Sequence, residues 1–209
     1  MNSMPNRVAV LDACVLYPAP VRDFLLSIAD IGLYEPKWTS EIQDEWSRNL
    51  LVNRPDLNKN QLDMTIKAMN IAFPFANVEN YSSFISGITL PDPNDRHVVA
   101  AAIQSKADMI ITYNIKDFPT SVLENYSIEI KHPDVFFTYL FDLQPEKVTE
   151  AFRKMVKRLK NPKKTIIEVL ATLEKSNLSE ITEKLKHLRQ LCVVYYLAYY
   201  YDPVLQMAI

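Results

Sequence analysis

The 209-residue sequence predicts an α/β fold, a three-layer α/β/α arrangement around a mainly parallel central sheet, followed by a helical C-terminal extension. Three observations predict it. Short apolar runs of β-forming residues alternate with stretches of helical periodicity, which is the pattern of a parallel sheet covered by helices on both faces. Capping signals mark several of the helix starts. From Pro133 onward the helical pattern continues with no strand signal.

Val8 to Leu11 reads as a buried central strand, opened by Pro5 and Asn6 and closed by Asp12. Val21, Phe24, Leu25, Ile28 and Ala29 recur at helical spacing, and Gly32 supplies the residue that a helix C-terminus prefers. A short strand is expected near Leu33 to Pro36. Ser40 with Gln43 forms a capping-box pattern, so the next helix is expected from Glu41 to about Leu51. Asn58 with Gln61 repeats that signal for a helix ending near Ala72, ahead of Pro74.

Ile88 to Asn94 is turn-rich, and Asp92-Pro93 reads as an N-cap with proline at the first helical position. A helix through Ala100 to Lys106 follows. Met109 to Thr112 reads as a second buried strand, and a loop from Tyr113 to Pro119 leads through a short helix to a third near Ile128 to Ile130. The extension is read as four helices, Asp134 to Phe141, Glu146 to Leu159, Thr165 to Lys175 and Ser179 to about Leu191. The expected division is 1–132 for the α/β domain and 133–209 for an extension packed on it. The final stretch is aromatic-rich, and Tyr195, Tyr196, Tyr199, Tyr200 and Tyr201 are read as core or interface residues rather than a base-stacking platform.

Composition narrows the class. With 48% hydrophobic and 23% charged residues the chain has the balance of a globular protein, which excludes disorder as its main theme. A formal charge of −2 excludes a uniformly basic nucleic-acid coat, but Arg153, Lys154, Lys157, Arg158, Lys160, Lys163 and Lys164 form a local basic run without an acid. The N-terminus carries no secretory pattern and no apolar run is long enough for a membrane span, so a cytoplasmic protein is expected. Cys14 and Cys192 lie far apart without metal-ligand spacing and read as buried thiols.

Carboxylates carry the chemistry. Ligands of an open parallel sheet gather beyond the carboxyl ends of its strands, where Asp12 and the loop reaching Asp117 both emerge. Asp95 lies in the first turn of the helix feeding the second strand, and Glu45 comes from a different helix. Clustered carboxylates raise one another's pKa unless a cation is shared, and hard oxygen donors select Mg²⁺ or Mn²⁺. His97, in an alanine-rich helix, reads as a hydrogen-bonded structural residue rather than a general base.

The ordered segments V-A-V-L-D-A-C-V-L, S-E-I-Q-D-E-W, D-P-N-D-R-H-V-V-A-A-A-I and I-I-T-Y-N-I-K-D-F-P resemble the four acidic motifs of the PIN domain family, nearest its bacterial branch of VapC-like toxin nucleases. The likeness covers roughly residues 7 to 130, and the helices beyond resemble the extension of one subgroup. The resemblance implies that Asp12, Glu45, Asp95 and Asp117 ligate Mg²⁺ or Mn²⁺ and are catalytic. It implies an endoribonuclease acting on RNA, with a cognate antitoxin and a homodimer as possible partners. Thr112 and Asn114 beside that cluster, and Lys157 and Arg158 in the basic run, are the expected substrate contacts. Asn114 stands where the family often has an acid, and Glu41 and Asp92 are alternative ligands. Two rival readings remain open. A haloacid-dehalogenase-type phosphotransferase wants a second aspartate where Cys14 stands, and a non-catalytic module on the same scaffold binds RNA or protein without cutting.

Overall fold

The computed structural model describes residues 7–160 and 162–187. Four short strands, β1 (Val8–Leu11), β2 (Glu35–Lys37), β3 (Met109–Ile111) and β4 (Glu129–Lys131), form one sheet in the order β2-β1-β3-β4. Every pairing is parallel. β1 and β3 are central and apolar, with Ala9, Val10, Leu11, Ile110 and Ile111 fully buried, as strands covered on both faces require.

Helices fill the connections. The first is α1 (Ala13–Leu16), a single turn whose N-cap is Asp12, and α2 (Ala19–Asp30) follows it. Gly32 takes a left-handed φ of 72° after α2, a conformation that costs glycine nothing and lets the chain reverse into β2. Next come α3 (Ser40–Asn53) and α4 (Lys59–Ala72). Asn58 and Gln61 close the expected capping box at the start of α4. The cap of α3 differs from expectation: Thr39, not Ser40, accepts from the Ile42 amide at 3.1 Å, and the helix starts one residue early and runs to Asn53. Thr39 has the extended backbone of an N-cap while Ser40 is already helical, so only the former's side chain can turn back onto the free amides.

After a one-turn helix, α5 (Ser82–Ile85), comes α6 (Arg96–Ser105). The expected start at Pro93 takes the form of a 3₁₀ turn, Pro93–Asp95, that runs directly into α6, which ends at Ser105, one residue before the expected Lys106. Asp92 caps that turn as expected, accepting from the Asn94 amide at 2.8 Å. Ala100, Ala101 and Ala102 are fully buried, and such small side chains let α6 lie close against β1 and β3. The strand ends also move by one or two residues: β2 covers Glu35–Lys37, and β4 covers Glu129–Lys131 after α7 (Thr120–Leu123).

The extension forms α8 (Pro133–Leu143), α9 (Pro145–Arg158) and α10 (Ile166–Lys175), with residues 179–187 also helical. Thr165 and Glu168 close a capping box at α10. Phe24 of α2 stacks on Phe137 of α8 at 4.4 Å and meets Phe152 of α9 edge-on at 5.6 Å. Each such pair adds about 0.5–1.5 kcal/mol beyond burial, so α8 and α9 share the core of the sheet domain. The tyrosine-rich stretch and Cys192 lie outside the described residues. Among the described residues no helix is long and apolar enough to cross a membrane.

Candidate active site

Parallel register brings the first two components together. Leu11 pairs with Ile111, so Asp12 and Thr112 leave adjacent strands side by side at their carboxyl ends. Asp12 is 4% exposed and Thr112 is fully buried. The Thr112 hydroxyl donates to Asp12 Oδ2 at 2.6 Å, the Cys14 thiol donates to the same oxygen at 3.1 Å, and the Ala13 amide donates to Oδ1 at 2.7 Å. Burial raises the pKa of Asp12, opposed by these donors and reinforced by the charge of Glu45. The carboxylate is thus fixed in orientation and short of counter-charge.

Above it opens a polar cleft of about 850 Å³. Glu45 reaches it from α3, Asp95 from the turn before α6, and Asn114 and Asp117 from the loop after β3. Asp95 is pushed up to about 6, first by burial and then by the charges of Asp12, Asp92, Asp117 and Glu45. All four expected ligands therefore lie within one electrostatic field, although they come from separate segments of the chain. Among the described residues no group of three or more His, Cys, Asp or Glu side chains is arranged, as it stands, to hold a metal ion. Glu45, Asp95 and Asp117 line one cleft instead, and Asp12 acts on Asp95 and Glu45 through its charge. Their chemistry fits a hard divalent cation, because every donor is a carboxylate oxygen and the carboxylates lining the cleft outnumber its two guanidinium groups.

Both alternative ligands line the same cleft, but each has another partner. Glu41 accepts from the Tyr81 hydroxyl at 2.9 Å, and Asp92 is occupied as a cap. His97 is 6% exposed and lies against both glutamates, with Nε2 3.6 Å from Glu45 and Nδ1 3.9 Å from Glu41. Burial works to lower the pKa of His97, but the two glutamates and Asp12 outweigh it and hold it above the ordinary histidine value.

The expected substrate contacts separate. Asn114 is exposed at the cleft. Thr112 needs correction: it is fully buried, its hydroxyl donates to Asp12, and its oxygen accepts from the Asn114 amide at 2.9 Å, so it supports the carboxylate from behind rather than facing substrate. Lys157 and Arg158 lie at the end of α9, outside the carboxylate cleft, and Arg158 pairs with Asp30 at 3.1 Å beside a separate groove between α2, α4 and α9. Cys14 is half-buried, and beyond its bond to Asp12 its sulfur accepts from the Tyr113 amide at 3.2 Å. Arg48 and Arg96, which are not among the expected site residues, also line the cleft. Their position three residues after Glu45 and one after Asp95 was the available signal.

Both parts of the chain are similar to known protein families. A family model described as PIN domain matches residues 8–116, and one described as VapC50 C-terminal domain matches residues 133–187. A protein of Mycobacterium tuberculosis named "Putative ribonuclease VapC50" is 42% identical over 62 residues, which cover 30% of this chain and 37% of that protein. No solved structure matches the chain.

Proposed function

The chain belongs to the PIN domain family, and from that premise we propose that it is a Mg²⁺- or Mn²⁺-dependent endoribonuclease whose metal is held by Asp12, Glu45, Asp95 and Asp117. The observation that carries this reading is geometric: Glu45, Asp95 and Asp117, from separate segments of the chain, line one polar cleft, and Asp12 at the end of β1 is near enough for its charge to act on Asp95. Four segments far apart in sequence concentrate negative charge at the carboxyl edge of the sheet, an arrangement that is costly unless a cation is shared. Bound there, a divalent cation supplies Lewis acidity toward the scissile phosphate.

The chain's own residues have separable tasks. Asp12 is the fixed point, held by Thr112, Cys14 and the Ala13 amide. Glu45 closes the site from α3 and Asp95 from the turn before α6, with His97 packed against Glu45. Asp117 and Asn114 border the opening through which a strand enters. Likeness to the VapC50 protein supports a further assignment as the toxin of a toxin–antitoxin pair, with a cognate antitoxin as partner.

The test is cleavage of single-stranded RNA by purified chain with Mn²⁺, Mg²⁺ or EDTA, alongside the Asp12→Asn variant. Metal-dependent turnover in the native chain and its loss by orders of magnitude in Asp12→Asn is the expected result. RNA binding without turnover under every metal condition identifies a non-catalytic module instead. Growth arrest on induction, relieved by co-expression of the product of a neighbouring gene, tests the toxin assignment.

A further inference from the structure

Six carboxylates line the cleft, from Glu41, Asp44, Glu45, Asp92, Asp95 and Asp117, against only two guanidinium groups, those of Arg48 and Arg96. One divalent cation neutralises two of those charges, so an RNA strand still meets net negative charge at the entrance. Another source of attraction is needed, and the basic run does not lie there: Lys154 is paired with Glu150 at 2.8 Å and Arg158 with Asp30 at 3.1 Å, away from the cleft.

Arg48 follows Asp44 by four residues and Glu45 by three on α3, the spacings at which ion pairs ordinarily form along a helix. It pairs with neither. Among the described residues Arg48 and Arg96 make no ion pair and no side-chain hydrogen bond, although exposed cations elsewhere do, as Arg54 does with Asp56 and Lys59 with Asp63. Arg48 is exposed, Arg96 is half-buried, and the Nε–H of Arg96 is buried without an acceptor. A guanidinium with unused donors, beside carboxylates assigned to a metal, is suited to an oxyanion, which its planar fork grips through two parallel bonds.

Resting on the ribonuclease reading above, we propose that Arg48 and Arg96 form an oxyanion subsite of this cleft that holds a backbone phosphate of the RNA strand. They are substrate-positioning residues, and the two flank the assigned ligands Glu45 and Asp95 from different helices. Their contribution is to binding rather than to the chemical step.

Anisotropy of a labelled single-stranded oligoribonucleotide on the Asp12→Asn chain, followed through a salt series, tests this without interference from cleavage. Arg48→Ala and Arg96→Ala are each expected to weaken binding about ten-fold, equivalent to one lost charge-assisted hydrogen bond. Each is expected to flatten the logarithmic salt slope by about 0.7. Lysine at either position restores the slope but only part of the affinity, because charge returns without the fork. In the Asp12-containing chain the same alanine variants raise KM and leave kcat nearly unchanged. Should an alanine variant fail to fold, Arg48→Gln and Arg96→Gln keep the side-chain bulk and decide the same point. Unchanged affinity and salt slope in folded variants overturn the subsite while leaving the ribonuclease reading intact. Absence of RNA cleavage by the native chain under Mg²⁺ and Mn²⁺ fails that reading, and the anisotropy still decides the arginines.

Discussion

The hydroxyl of Thr112 donates to Oδ2 of Asp12 across 2.6 Å, joining the ends of two strands that are 100 residues apart in the chain. This bond fixes the most buried carboxylate of the site, and the same oxygen of Thr112 receives the Asn114 amide. Thr112→Val keeps the shape and removes both functions. Cleavage is expected to fall about 10- to 100-fold, the usual cost of losing a group that orients a metal ligand. Thr112→Ser, which keeps the hydroxyl, stays near the native rate. Equal activity in the valine and serine variants shows that the bond has no bearing on catalysis.

Amide substitutions sort the carboxylates of the cleft. Glu45→Gln and Asp95→Asn are expected to abolish Mn²⁺-dependent cleavage and weaken Mn²⁺ binding measured by calorimetry. Glu41→Gln remains near native, because that carboxylate already accepts from Tyr81. Asp92→Asn remains active and loses about 1 kcal/mol of stability or less, since asparagine also caps. The reverse pattern places the ligands one helical turn from where they are assigned.

Stability in EDTA carries a pH signature of Asp95, whose folded pKa of about 6 lies above the ordinary value of 3.8. Between those values the folded chain keeps a proton that the unfolded chain has released, so this group's contribution to stability falls as pH rises through the interval. Asp95→Asn removes that dependence. The Tm of the variant minus that of the native chain is therefore expected to grow from about pH 4 to about pH 6 and to level off above. A constant difference across the range refutes the raised pKa of Asp95, which burial and the neighbouring carboxylates produce.

Asp134 ties the last described helix to the body of the protein. Its buried carboxylate accepts from the Glu180 amide at 2.9 Å and the Ile181 amide at 3.0 Å, capping residues 179–187 from the first turn of α8. Asp134→Ala leaves those amides without acceptors and is expected to cost about 1–3 kcal/mol in urea unfolding. Asp134→Asn, with one acceptor oxygen left, is expected to fall between. A loss within experimental error in the alanine variant means that water or a neighbouring group takes over the capping.

What the sequence determined by itself was local: the apolar runs of β1 and β3, the caps at Asn58 and Asp92, the stop at Gly32, and the carboxylate at the end of the first strand. These depend on neighbouring residues, through backbone preference and short-range hydrogen bonds. Ser40 against Thr39 shows the limit even there, because two adjacent hydroxyl residues are chemically equivalent caps until the backbone angle chooses one. The tertiary structure decided which distant residues meet. The pairing of β1 with β3 turned Thr112 from an expected substrate contact into the support of Asp12. The path of α9 carried Lys157 and Arg158 away from the carboxylates, while α3 and α6 brought Arg48 and Arg96 to them. Charge along a sequence does not reveal which face of a fold it will occupy, since that follows from how helices pack on a sheet, and the packing is set by contacts between residues far apart in the chain.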